Sequence, residues 1–294
     1  MKVIFIVKPL RSHKLSQLRK TLNATFSDKN DSHQIFLSMK RRHAITLTQK
    51  AIEEKADVIV ACGGDGTINE VARTMLGSGV TLGIIPLGSG NGIARHFRIP
   101  FDIPKAVELI KQNNTTPMDV GEVNGNLFLG NMGCALESYF IKYYQKNEWH
   151  GLLAYFVAFL DAIVNFKHHE IQIEVDDKIK KISPFVFLAS NTNQQGYDFS
   201  LTPEAQSDDG QLDLFWMEKT GWINKIKFLI ATIFKQKLQS PEFNRMRFSN
   251  LKITPLDSHD FCVQVDGEYL PTTDKKLEIK VLPKKLNVIV AQKT

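Results

Sequence analysis

A run of apolar residues that ends directly in a glycine-rich turn occurs twice in this chain, and it constrains the fold more than any other feature. The segment DVIVA (57–61) runs into CGGDGTINE (62–70), and the apolar segment 82–85 runs into PLGSGNGIAR (86–95). A helix is expected after each turn. Strands that alternate with helices form a parallel sheet, and the turns after its strands meet at one edge. We therefore expect an α/β domain that binds its ligand at that edge.

The residues of these turns are typical of a phosphate site. Glycine allows a backbone to approach a phosphate group closely, and a helix start adds N–H groups and the positive end of its dipole. A carboxylate at Asp65 would repel phosphate unless a divalent cation bridges the two or the carboxylate accepts a proton from an attacking hydroxyl. The alternative is a tight turn in which Asp65 caps the helix. In the second turn, Ser89 and Asn91 can bond phosphate or ribose, and Arg95 can neutralise phosphate charge.

The pattern changes near residue 116, where short strands begin to dominate. We expect an α/β domain over 1–116 and a mainly antiparallel β domain, either a sandwich or a barrel, over 117–294. Two separate strands, 277–281 and 287–290, are expected near the C-terminus, which we expect to pack back on the first domain. Three dipeptides are typical of hairpin turns: Asn124-Gly125, Asp209-Gly210 and Asp266-Gly267.

Two helical stretches interrupt these strands, at about 137–166 and 221–238. Residues 151–166 are apolar on nearly all sides, as in a helix buried between layers or in the wall of a pocket for an acyl chain. In the second stretch one side of the helix is an apolar stripe of Trp222, Ile226, Leu229, Ile230 and Ile233. The lysines lie outside this stripe, at Lys225, Lys227, Lys235 and Lys237. The stripe predicts a helix that faces the core with solvated lysines; the alternative is a helix that lies on an anionic membrane.

Composition excludes several classes of protein. Lys and Arg total 37 against 31 Asp and Glu, and this net charge of +6 suits phosphate-bearing ligands or an anionic membrane. No run of five or six like charges occurs, so nucleic acid is not an expected partner. The cysteines, Cys62, Cys134 and Cys262, form no CxxC pair, which argues against a disulfide framework and a zinc site. With an N-terminal apolar run too short for a secretory signal, this favours a cytoplasmic protein, peripheral at a membrane at most.

The two turns together, GGDGTINEV and PLGSGNGIAR, resemble the diacylglycerol kinase catalytic-domain family, which includes bacterial lipid kinases and sphingosine kinases. Further segments along the chain are similar to that family: SMKRRHA (38–44), MDVGEVNGNLF (118–128), SDDGQLDL (207–214) and QVDGE (264–268). The resemblance implies a nucleotide domain like those of phosphofructokinase and NAD kinase, followed by an antiparallel β-sandwich. It also implies transfer of the γ-phosphoryl group of ATP, with Mg²⁺, to a lipid hydroxyl.

For the site, the resemblance implies three groups of residues. Asp65, Asp266 and Glu268 would be the catalytic carboxylates, and either Asp65 or Asp266 could serve as the general base. Asp209 would hold a structural magnesium ion with the carbonyl groups of Gln206 and Gln211. The nucleotide and its phosphates would be bound by Ser38, Gly63, Gly64, Gly66, Thr67, Ser89, Gly90, Asn91 and Arg95.

The chain departs from the family in four respects. The glycine-rich stretch that is usual in the second domain is reduced to NQQGY (193–197), and the other three departures are single residues. Lys8 replaces the usual Asn of an Asn-Pro pair and would meet phosphate directly; Gly92 replaces an Asp common in bacterial diacylglycerol kinases; Glu137 stands where the family tends to have Asp. The alternatives are an NAD kinase, which shares GGDGT but not the second turn, and a nucleotide-binding regulatory protein that has lost catalysis. The acceptor lipid and a homodimer stay open.

Overall fold

The structure, a computed structural model, describes residues 1–146, 152–175, 178–195, 200–218, 220–233, 243–257 and 261–292. The chain divides into two units. The first contains Met1–Asp119 and Pro283–Thr294, and the second contains Val120–Gln195 and Phe199–Leu282.

The first unit is built on a parallel sheet, as the sequence predicted. Strands and helices alternate along the chain: β1 (Lys2–Val7), α1 (Ser12–Thr25), β2 (Ser32–Leu37), α2 (His43–Glu53), β3 (Val58–Gly63), α3 (Asp65–Met75), β4 (Thr81–Pro86), α4 (Gly92–His96) and α5 (Ile103–Gln112). The strand order is β2-β1-β3-β4, and neighbours are parallel. Strands β1 and β3 are buried along nearly their whole length, which explains their continuous apolar sequence.

The second unit is a β-sandwich with helices, which confirms the sandwich rather than the barrel. Its strands are β5 (Thr115–Val123), which begins in the first unit, β6 (Asn126–Phe128), β7 (Asn131–Gly133), β8 (Ile171–Val175), β9 (Lys178–Ile182), β10 (Pro184–Ser190), β11 (Leu212–Glu218), β12 (Phe243–Phe248), β13 (Asn250–Pro255), β14 (Cys262–Val265), β15 (Glu268–Pro271) and β16 (Leu277–Ile289). One sheet has the order β12-β11-β10-β7-β14-β15. In the other sheet, β13 pairs with β8, and β8 with β9. Side chains of both sheets share one core, including Phe128, Phe187, Leu251 and Ile279.

Strand β16 differs from the prediction of two separate strands. It is continuous, and its first part, from Leu277 to Lys280, pairs antiparallel with β13 in the second unit. Its last part pairs parallel with β4 in the first unit, where Asn287 and Val288 lie opposite Thr81 and Leu82. The segment PKK (283–285) is exposed in the middle of this strand. Its residues interrupt the apolar pattern, and the sequence therefore predicted two strands.

Two of the three predicted hairpin turns are confirmed. Asn124-Gly125 joins β5 to β6, and Asp266-Gly267 joins β14 to β15, with positive φ at all four residues. Asp209-Gly210 is not a hairpin turn: it leads into β11, which pairs with β10 and β12.

The helices of the second unit pack on the outer face of the six-stranded sheet. They are α6 (Leu136–Lys146), α7 (Leu152–Asn165) and α8 (Trp222–Ile233). The expected stretch 137–166 is thus two helices, and Gly151 and 234–238 lie outside the described residues. Phe140, Ala162, Phe185 and Phe228 are among the residues of the resulting core. None of the helices in the described part of the chain combines the length and hydropathy needed to cross a membrane.

Strands β9, β12 and β15 were not expected from the sequence, and one strand over 127–131 was expected where the structure has both β6 and β7. Strand β9, with the sequence KIKKI, shows the reason: its first four residues are exposed at the edge of its sheet, so lysines replace the apolar alternation.

Candidate active site

The carboxyl ends of the four parallel strands lie side by side in the first unit, and the residues after them form the candidate active site. After β1, the backbone N–H of Lys8 donates to the carbonyl oxygen of Cys62 at 3.1 Å. After β2, the N–H of Ser38 donates to the carbonyl of Val7 at 2.8 Å. The loops therefore begin at one edge of the sheet, as the sequence predicted.

The two glycine-rich turns touch each other through their backbones. The N–H of Leu87 donates to the carbonyl of Gly63 at 2.7 Å. A Cβ atom added to Gly88 would lie 2.4 Å from Cα of Gly64, and one added to Gly64 would lie 3.1 Å from Cα of Gly88. Since neither neighbour is a flexible side chain, this approach requires glycine at position 88.

The other glycines of the first turn have different environments. A Cβ on Gly63 would lie 2.4 Å from the hydroxyl oxygen of Thr67, so the Thr67 side chain already fills that space. A Cβ on Gly66 would have nothing within 4 Å. Gly66 therefore faces open space at the N-terminus of α3, where a helix presents N–H groups and positive potential.

Asp65 belongs to the first turn, and its side chain faces the second. It is the first residue of α3, and Gly64 rather than Asp65 occupies the cap position. A Cβ added to Gly90 would lie 2.9 Å from Oδ2 of Asp65, so this carboxylate faces the second turn. A negative charge in the first turn of a helix is stabilised by the helix dipole.

Asn91 and Arg95 brace the second turn. Oδ1 of Asn91 accepts from the N–H of Gly88 at 3.0 Å, and Nδ2 donates to the carbonyl of Gly88 at 2.8 Å. Nε of Arg95 donates to the carbonyl of Gly90 at 3.1 Å. Asn91 is buried in the left-handed conformation, while Ser89 at the tip is exposed. A direct bond from Asn91 or Arg95 to a nucleotide stays a prediction.

Lys8 and Ser38 lie at the same edge of the sheet. Burial, and to a lesser extent the charge of Lys14, lowers the pKa of Lys8 from its ordinary value. Ser38 is buried, and the loop that follows carries the basic residues of SMKRRHA. In this loop the backbone N–H of Arg42 donates to Oε1 of Glu70 on α3 at 3.1 Å, which ties the loop to the first turn.

This edge fits the phosphates of a nucleotide and a magnesium ion. No atom lies within 4 Å of a Cβ placed on Gly66. The N-terminus of α3 would supply N–H donors to a phosphate group there. In the described part of the chain no three His, Cys, Asp or Glu side chains cluster as metal ligands. The chain would therefore offer magnesium the single carboxylate of Asp65 beside phosphate oxygens, a donor set that this ion accepts.

In the second unit, the carboxylate of Asp266 is bonded to backbone. Oδ1 accepts from the N–H groups of Gly130 and Asn131 at 2.8 and 3.0 Å, and Oδ2 accepts from that of Leu129 at 2.9 Å. Asp266 thereby holds the 129–131 segment against its own turn. Glu268, the first residue of β15, is exposed.

The surroundings of Asp209 contain a cation from the chain itself. Its Oδ2 lies 3.8 Å from an η-nitrogen of Arg247, while Oδ1 accepts from the N–H of Gln211 at 3.0 Å. The same guanidinium lies 3.4 Å from Asp213 and donates to the carbonyl of Glu204 at 3.5 Å. These residues fit a structural magnesium ion poorly, because Arg247 already supplies positive charge there. The magnesium site at Asp209, Gln206 and Gln211 stays a prediction.

Glu137 is a buried carboxyl group at the start of α6. Its oxygens accept from the backbone N–H groups of Ala135 at 2.9 Å and Phe187 at 3.3 Å. A Cβ on Gly133 would lie 2.3 Å from Cγ of Glu137. The glutamate side chain, which is longer than the aspartate that the family tends to have, therefore fits only because residue 133 is glycine. Burial raises its pKa to about 7, and the backbone bonds oppose that rise only in part.

Sequence reasoning missed Gly88 and Arg247. Gly88 carried a usable signal, since it follows β4 as Gly64 follows β3, one strand over in the same sheet. Arg247 carried none, because only the pairing of β11 with β12 brings it beside Asp213.

Comparison with known proteins follows the two-unit division. Residues 2–123 match the family model described as "Diacylglycerol kinase catalytic domain", and residues 137–290 match "YegS C-terminal NAD kinase beta sandwich-like domain". A diacylglycerol kinase from Bacillus subtilis is 29% identical over 226 residues, 75% of this chain and 74% of that protein. A diacylglycerol kinase from Staphylococcus saprophyticus is 27% identical over 231 residues, 77% of this chain and 75% of that protein.

Solved structures agree on the fold. The crystal structure of a diacylglycerol kinase from Bacillus anthracis has a TM-score of 0.76 and 23% sequence identity, covering 99% of this chain and 97% of that one.

The contact between the turns predicts that two alanine substitutions affect the free energy of unfolding differently. Gly88→Ala should lower the free energy of unfolding by about 2–3 kcal/mol, because the new Cβ collides with backbone. Gly66→Ala should leave it unchanged or raise it by up to about 1 kcal/mol, because the site is open and helical. Urea unfolding of both variants measures this. A Gly88→Ala protein as stable as the wild type would contradict the close approach.

Arg247 and magnesium are expected to substitute for each other. Magnesium should leave the Tm of the wild type unchanged, and Arg247→Gln should lower it, because Asp209 and Asp213 lose their cation. Magnesium should then raise the Tm of Arg247→Gln by binding only the folded variant. A magnesium-dependent rise in the wild type that Asp209→Ala abolishes would instead establish the structural ion implied by the sequence.

Glu137 should make stability fall with rising pH. Because its folded pKa of about 7 lies above its ordinary value of 4.5, the folded protein retains a proton that the unfolded chain releases. Its contribution is complete below about pH 4.5 and is lost as the pH rises through 7. The stability of the wild type relative to Glu137→Gln should fall by about 3 kcal/mol over that interval. Glu170→Gln, at an exposed carboxyl group, is the control; equal profiles for both variants would refute the assignment.

Proposed function

Since the chain belongs to the diacylglycerol kinase family, we propose that it transfers the γ-phosphoryl group of ATP to the hydroxyl group of a diacylglycerol-like or sphingosine-like lipid. It is a lipid kinase, a phosphotransferase with an alcohol group as acceptor. ATP as the donor, magnesium as its companion ion and the identity of the lipid are the proposed parts.

The observation that carries this proposal is the backbone contact of Gly64 with Gly88, which sets Asp65 beside Gly90. Phosphoryl transfer requires little covalent chemistry from the protein, so catalysis rests on positioning and on neutralising charge. The N–H groups at the start of α3 and the open space at Gly66 would hold the phosphates. Lys8, at the end of β1, would add positive charge at the same edge. Bound magnesium would further screen the phosphate charge from the attacking hydroxyl.

We assign the essential carboxylate to Asp65. It lies at the phosphate edge, in the first turn of a helix, where it can serve magnesium or accept the proton of the lipid hydroxyl. Asp266 is engaged by three backbone N–H groups, and we propose that it positions its turn and Glu268 rather than taking part in proton transfer. The roles of the remaining nucleotide residues, from Ser38 to Arg95, are proposed on the same basis.

The acceptor would be met at a membrane surface, since such lipids reside in bilayers. A cavity of about 250 Å³ in the second unit is lined by apolar side chains, among them Tyr139, Phe166 and Ile171, with Lys167 and His169 as polar neighbours. It is a candidate for part of an acyl chain. We infer peripheral membrane contact; a homodimer stays open.

An assay with labelled ATP tests the function. Pure protein with magnesium should label diacylglycerol or sphingosine in detergent micelles, and neither NAD nor water to a comparable extent. Labelling of NAD with every lipid left untouched would establish the alternative of an NAD kinase. Binding of ATP without any labelled product would establish a regulatory protein without catalysis.

Asp65→Asn and Asp266→Asn should have different effects, the first on turnover and the second on stability. Asp65→Asn should lower turnover at least about a hundredfold, roughly 3 kcal/mol, with little change in Tm. Asp266→Asn should lower the Tm, because an amide N–H₂ would face backbone donors.

The magnesium dependence of Asp65→Asn distinguishes its two roles. A higher magnesium requirement indicates a metal ligand, and a lower kcat at unchanged magnesium affinity indicates the proton acceptor. Near wild-type turnover in this variant would remove Asp65 from the mechanism.

A further inference from the structure

Helix α8 turns its apolar side away from the protein. Trp222, Ile223, Ile226 and Ile230 are 57%, 73%, 51% and 44% exposed; these four side chains are called the apolar face. The predicted core-facing stripe is therefore wrong for Trp222, Ile226 and Ile230, whereas the side chains of Leu229 and Ile233 lie outside the described set.

Lys225 fixes this orientation. It is only 8% exposed, and Phe228 one turn later is 3% exposed, so these two residues face inward. The ammonium group donates to the carbonyl of Ile163 at 3.2 Å, in the last turn of α7, where a helix favours a cation. It also lies 4.7 and 5.1 Å from the ring centres of Phe185 and Trp222. The sequence predicted that Lys225 is solvated, and this prediction is wrong because the side chain is buried.

This arrangement is inverted relative to an ordinary surface helix. The burial of Lys225 is offset by its hydrogen bond to Ile163 and its contacts with two aromatic rings. The four large apolar side chains in water cost free energy unless the apolar face has its own apolar environment. Helix α7 adds Val164, 57% exposed, next to the carbonyl that Lys225 binds. Several large apolar side chains exposed on one face of a helix indicate an interaction site, whereas an isolated exposed residue does not.

We propose that the apolar face docks on a lipid bilayer and brings the second unit to its substrate, an inference that rests on the proposed lipid kinase function. Charge favours a bilayer: α8 contains no Asp or Glu, and Lys227 is exposed on it. Trp222 in the first turn is the residue type that lies at the boundary of headgroups and acyl chains. Since Lys225 is internal, apolar insertion contributes more to docking than charge does.

Vesicle flotation tests this with a matched control. Wild-type protein should float with phosphatidylcholine vesicles, and phosphatidylglycerol should strengthen binding modestly through Lys227. Ile223→Ser with Ile226→Ser should weaken binding at least about tenfold at unchanged Tm, because both side chains are exposed. Ile179→Ser is the control, since Ile179 is 62% exposed on β9, outside the apolar face; an equal loss there would overturn the proposal.

Activity separates this inference from the proposed function. The double variant should lose activity on vesicle-embedded diacylglycerol and keep it on a dispersed short-chain diacylglycerol. Wild-type activity on the dispersed lipid without vesicle binding would overturn docking and leave the kinase intact. Vesicle binding without phosphorylation of any lipid would overturn the kinase function instead. If the double variant altered the sedimentation of the protein and not its vesicle binding, the apolar face would be a contact between copies of the chain.

Discussion

The contact between the backbones of Gly64 and Gly88 is the constraint on which the candidate site depends. Neighbouring strands of a sheet lie about 4.8 Å apart, so loops that leave β3 and β4 must either diverge or pass in contact. Glycine allows contact, and a Cβ at position 88 would force the loops apart. The contact sets Asp65 beside Gly90 and leaves the start of α3 open at Gly66. A single backbone approach thus determines the shape of the candidate phosphate site.

Several polar residues that are candidate ligands also brace the backbone or neighbouring charged groups. Asn91 uses both atoms of its amide on Gly88, and Asp266 uses both carboxylate oxygens on the 129–131 segment. Arg247 brings its guanidinium to Asp209 and Asp213. In each case a side chain bonds backbone groups or pairs with charged groups. Residue type alone does not distinguish a brace from a ligand, because both need the same donors and acceptors.

The second unit reverses the usual distribution of polar and apolar groups at two places. Glu137 is buried beside Gly133, and its raised pKa reflects that burial. Lys225 is buried between two aromatic rings while Ile223 is in water.

The sequence by itself determined the α/β class of the first domain, the mainly antiparallel β class of the second, the glycine-rich turns at one sheet edge and the hairpins at Asn124-Gly125 and Asp266-Gly267. These follow from short-range patterns, because strand burial, helix starts and positive φ are properties of adjacent residues. Only the tertiary structure decided that β16 is continuous, that Arg247 meets Asp209, that Asp266 accepts from three backbone N–H groups and that the apolar face of α8 points outward. Each of these depends on a partner distant in sequence. The Lys225 side chain shows why: a lysine is expected in water until the last turn of α7 and two aromatic rings provide it with a buried site.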